Sequence, residues 1–122
     1  MLLIAGLLTL MIGLVHSYLG ERYILIRLFK RDGIPHLFGS DVFTKQTLRF
    51  AWHITTIAWW GLAAIMFTYA NSQAVSRQSI LQIIAVVFLI SGLIALIASK
   101  GKHLSWLCFF VIAGGCLMSL DP

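Results

Sequence analysis

Charge is scarce in this sequence. Asp, Glu, Lys and Arg make up only 11% of its 122 residues, and four of those are acidic. A water-soluble domain carries roughly 25% charged residues. Cysteine is nearly absent too. Cys108 and Cys116 share one apolar run, and on a helix they stand roughly 12 Å apart along the axis, beyond disulfide reach. No CxxC or CxxCH occurs, which excludes a zinc ribbon, a thioredoxin-like redox motif and c-type haem attachment. There is no phosphate loop and no GxGxxG after a strand. No row of acids runs through the apolar stretches to form an ion path in a single copy. Ser–His–Asp chemistry has no support, because Asp121 lies at the C-terminus, at the opposite end from the histidines. The net charge of +5 does not point to nucleic acid, because the basic residues do not interleave with aromatics along a binding face.

What is abundant is apolar surface. Hydrophobic types make up 60% of the chain and the mean hydropathy is +0.94, so lipid is its expected solvent. Four runs, residues 2–20, 50–70, 80–98 and 104–120, contain no Asp, Glu, Lys or Arg. Each approaches the ~17–25 residues that cross a bilayer. Because the hydrocarbon offers no hydrogen bonds, the backbone must satisfy itself, and helices follow. The expected fold is all-α: one membrane domain over residues 1–122, built as a four-transmembrane-helix up-and-down bundle. The first run has no positive n-region or cleavage site, so it reads as a retained helix rather than a signal peptide.

The connections set the orientation. Residues 21–49 hold six basic residues, 71–79 hold only Arg77, and 99–103 hold Lys100 and Lys102. The first and third connections share one side, which the positive-inside rule makes cytoplasmic. Both termini then face outward. In the long connection, Tyr23 to Phe29 continue the first helix or lie along the interface. Gly33 to Pro35 break it, and Ser40 or Asp41 caps the next helix.

Small residues mark packing faces. Gly6, Gly13 and Gly20 repeat every seven residues on the first helix, a stripe that permits close helix approach in lipid. The second helix shows a looser pattern at Ala51, Thr55, Ala58, Gly61 and Ala64. Trp52 and Trp106 sit where interface-belt aromatics do, whereas Trp59 and Trp60 read as packing residues.

The histidines carry the functional signal. His16 and His53 lie roughly 5–6 Å inside the same membrane face on consecutive antiparallel helices. Ser17, Glu21, Arg22, Arg49 and Trp52 stand around them, forming a polar pocket at the cytoplasmic interface. His103 opens the last helix at that level, and His36 lies in the long connection. Ionisable groups at membrane depth suggest function by default. Two opposed histidines can ligate haem b, with Arg22 or Arg49 pairing its propionates. His16, Glu21 and His53 can hold a divalent metal such as zinc, iron or copper. A proton-handling pair in a transporter or membrane enzyme is the third reading. The plain alternative is that these groups only join the helices by hydrogen bonds.

The stretches His16-Ser17-Tyr18-Leu19-Gly20-Glu21 and Arg49-Phe50-Ala51-Trp52-His53 resemble an uncharacterised group of small bacterial four-span membrane proteins with HSxLGE-type and RxxWH-type motifs. The resemblance covers mainly the first 60 residues. It implies a bacterial inner-membrane protein with His16, Glu21, Arg49 and His53 as its signature. It brings no activity with it. The expected function is therefore that of a small membrane protein with no catalytic motif, either an accessory subunit or a homo-oligomer. Its partners are the bilayer and other membrane subunits.

Overall fold

The structure is a computed structural model and describes residues 1–71 and 74–120. Four helices hold most of the described residues: α1 (Leu2–Leu28), α2 (Val42–Asn71), α3 (Arg77–Ser99) and α4 (Ser105–Met118). No strand occurs among the described residues. The first three helices are long and apolar enough to cross a membrane. The fourth is apolar but only 14 residues long.

Each helix packs on its neighbours in sequence: α1 on α2, α2 on α3, and α3 on α4. Among the described residues no Cα of α1 comes within 8 Å of α3 or α4. The helices therefore form an open row rather than a closed bundle. Lipid solvates apolar side chains as well as another helix does, so nothing forces the row to close. Most large side chains of α1, such as Leu7, Leu8 and Met11, lie exposed, and three glycines and Leu25 fill its buried positions.

The α1/α2 seam follows from the glycine stripe. A Cβ at Gly6 would meet the Phe67 ring, one at Gly13 the Trp60 indole, and one at Gly20 the Trp52 indole. Glycine leaves a flat backbone surface on which the aromatic rings of α2 lie. It also exposes carbonyls to the indoles. Trp60 Nε1 donates to Leu10 O at 3.3 Å, and Trp52 Nε1 to His16 O at 3.1 Å. Each indole N–H thus finds a backbone acceptor on α1. The looser small-residue pattern on α2 does not make this seam. Ala51 and Ala58 are exposed, Gly61 is buried against Val87 of α3, and the buried Thr56 bonds Gly13 O of α1.

Beyond Gly20, α1 widens into a π-helical stretch, Gly20–Leu25, in which Ile26 N bonds Glu21 O. In such a turn, residues five apart lie above one another. Leu25, five after Gly20, accordingly continues the buried line at 3% exposure. The helix ends at Leu28. Phe38 and Gly39, both with positive φ, make a tight turn closed by Leu37 N to Ser40 O at 2.9 Å. Thr44 Oγ1 ties Pro35 O to the start of α2. Lys45 pairs with Asp41, and this hydrogen bond holds the Asp41 carboxyl below the usual carboxylate range.

The α3–α4 turn is locked onto the rest. Lys100 and Gly101 take positive φ and Gly101 N bonds Leu96 O at 2.9 Å, the αL termination that helices commonly use. Ser99, fully buried, accepts from His103 N at 3.2 Å. The Phe50 ring meets His103 edge-on at 5.2 Å and holds this turn against α2. Gly92 abuts Phe110 of α4. By contrast, a Cβ at Gly114 or Gly115 would meet open space.

Candidate functional site

Ser17, Glu21, Arg49 and His53 come together where the α1/α2 seam nears the π-helical stretch. Ser17 Oγ lies 2.8 Å from His53 Nδ1 and 2.9 Å from Thr56 Oγ1. Thr56 Oγ1 in turn reaches Gly13 O at 3.3 Å. His53 Nε2 lies 3.3 Å from Glu21 Oε2. Arg49 donates from Nε to the same oxygen at 3.1 Å, and its Nη2 meets Glu21 Oε1 at 2.9 Å. The result is one chain, Thr56–Ser17–His53–Glu21–Arg49, running from the buried seam to its outer end. The Phe29 ring, 5.0 Å from the Arg49 guanidinium, covers the cationic end.

The chain can be written for either charge state of His53. With the imidazole neutral and protonated on Nε2, it donates to Glu21 and accepts from Ser17 on Nδ1. With both nitrogens protonated, Nδ1 donates to Ser17, Ser17 to Thr56, and Thr56 to Gly13 O. Rotation of two hydroxyls converts one pattern into the other, and neither leaves a ring nitrogen unbonded. The order hydroxyl, imidazole, carboxylate is also that of a nucleophilic relay. However, Thr56 shares Ser17 Oγ, and Arg49 already neutralises Glu21, which leaves it less charge for an imidazolium.

His16 stands apart from this chain. Residues 16 and 17 are 100° apart on a helix, so they fall on opposite flanks of the glycine stripe. The His16 ring lies flat on Trp52, centroids 4.5 Å apart and planes 1° apart, and tilts against Trp59 at 4.8 Å. Its Nε2 is buried with no hydrogen-bond partner. Arg22 lines the groove beside the cluster but joins no ion pair among the described residues. Trp52 serves as the lid on Gly20. His103 belongs to a separate group with Phe43, Phe50 and Ser105.

This arrangement does not match a ready-made ligand set. A bis-histidine haem needs two imidazole nitrogens facing each other across the ring. Here both His53 nitrogens are engaged, and His16 lies on the far flank. Among the described residues, no three His, Cys, Asp or Glu side chains converge as metal ligands.

Thr56 is the member of the cluster that sequence reading missed. Its signal was present: it lies three residues after His53, on the same helix face, at the depth of Ser17.

Comparison of the chain with protein-family models, with curated proteins and with solved structures gives no match.

Proposed function

We propose that this chain is a four-span, up-and-down membrane protein of the bacterial inner membrane. In this reading it is a non-catalytic subunit of a membrane assembly, formed with copies of itself or with other membrane subunits. Both termini face outward and the Ser17–His53–Glu21–Arg49 cluster lies at the cytoplasmic interface, where it locks α1 to α2. The observation that carries the reading is the open row. A helix that touches one neighbour through a narrow glycine stripe leaves its remaining apolar faces free for lipid or partners.

Two further features support it. At 1.5 Å per residue α4 rises only ~21 Å, less than the ~30 Å hydrocarbon core. A short span is accommodated by thinning the bilayer or by oligomerising. The basic residues also divide as topology requires, with eight of nine in the two connections assigned to the cytoplasm.

The test is the mass of the assembly released from native membranes in mild detergent, read by native mass spectrometry. The expected result is a species holding two or more chains, one at least being this 13.6 kDa chain. A chain that is monomeric across all mild detergents tried would overturn the reading.

A further inference from the structure

A groove of about 520 Å³ opens beside the cluster. Leu14, Tyr18 and Ile26 form its apolar wall, Ser17, Glu21 and His53 its polar floor, and Arg22 its charged edge. The polar floor is already bonded within itself. Both Glu21 oxygens are engaged, one by Arg49 and the other by Arg49 and His53. Both His53 nitrogens are engaged as well. Arg22 is the exception. Its guanidinium rests 6.0 Å from the Tyr23 ring, and among the described residues no carboxylate meets it.

From this we propose that the groove binds one anionic phospholipid, independently of whether the chain assembles. The headgroup phosphate pairs with Arg22, and an acyl chain lies along Leu14 and Tyr18. Charge decides the class of headgroup. A guanidinium with free donors matches a phosphate. A zwitterionic lipid would bring an ammonium as well, and the one carboxylate in the groove is already neutralised by Arg49. An ammonium therefore finds no free acid there, and the groove discriminates against choline headgroups. The depth fits too, because Arg22 comes directly after the charge-free run 2–20, where a membrane-spanning helix passes from hydrocarbon to headgroups.

Arg27 supplies the control. It also lies on α1, is exposed, and stacks on Tyr23 at 5.3 Å, but it does not line the groove. The experiment presents the full-length protein with equal amounts of phosphatidylglycerol and phosphatidylcholine. Native mass spectrometry then reads which lipid occupies the first bound position. The wild type should favour phosphatidylglycerol by about fivefold, the effect of one basic residue near an anionic headgroup. Arg22→Gln should bring the ratio close to one, and Arg27→Gln should leave it unchanged. Both residues are exposed, so neither change threatens folding. If Arg22→Gln keeps the preference, there is no such site. If both variants lose it equally, the effect is a general basic belt and the proposal fails.

Discussion

Gly20→Leu is expected to pry the Glu21 end of α1 away from α2. Trp52 already occupies the space that any Cβ at Gly20 would need. A leucine must push the indole off the helix, and three contacts go with it. The Trp52 bond to His16 O is lost, the flat His16–Trp52 stack opens, and Ser17 moves out of register with His53. Overpacking of this kind costs ~1–3 kcal/mol, and each lost interhelical hydrogen bond adds about 0.6 kcal/mol. The measurement is the unfolding midpoint in mixed micelles, followed by tryptophan fluorescence. Gly114→Leu is the control, because a side chain there enters open space, and it should stay within about 0.5 kcal/mol of wild type. Equal effects at the two glycines would mean that the seam is not where the structure places it.

Phe50→Ala should have an effect of similar size but in a different place. Phe50 is 4% exposed and its ring holds His103 against the start of α2. Removing a buried phenylalanine costs ~3–5 kcal/mol in soluble cores. The lower end applies here, because lipid can solvate part of the exposed surface. The loss should be felt in the α3–α4 turn, whose lysines, Lys100 and Lys102, are trypsin sites. Limited digestion in micelles should cut the variant there well before wild type. Unchanged stability together with an unchanged digestion pattern would show that the turn is held by Ser99 and the backbone alone.

The sequence and the structure agree where composition and periodicity carry the information. Apolar runs free of charge predict helices because an unpaired backbone is untenable in lipid, and the chain is all-helical through its described residues. The seven-residue glycine repeat predicts a close-packed stripe, and aromatic rings of α2 lie on it. The gathering of Ser17, Glu21, Arg49 and His53 follows from their matched positions on antiparallel helices. Other features depend on details that spacing does not carry. His16 and Ser17 are adjacent in sequence, yet the 100° between them sends one to the tryptophans and the other to the polar chain. The π-helical stretch after Gly20 changes which residues share a face, so Leu25 is buried where a regular repeat would suggest another position. The open row is invisible to hydropathy, since a residue facing lipid and one facing a helix are equally apolar.

The central claim is that the cluster lies at the cytoplasmic surface of a four-span protein whose termini are both outside. Paired topology reporters test it most directly, alkaline phosphatase and a fluorescent protein fused in turn within the long connection near Gly33 and after Pro122. The account predicts fluorescence without phosphatase activity at Gly33, and phosphatase activity without fluorescence at the C-terminus. The same compartment at both positions would mean that an even number of spans, not three, follows Gly33, and the four-span topology would fall. The opposite pattern would place the histidines on the periplasmic face and contradict the assignment of the site.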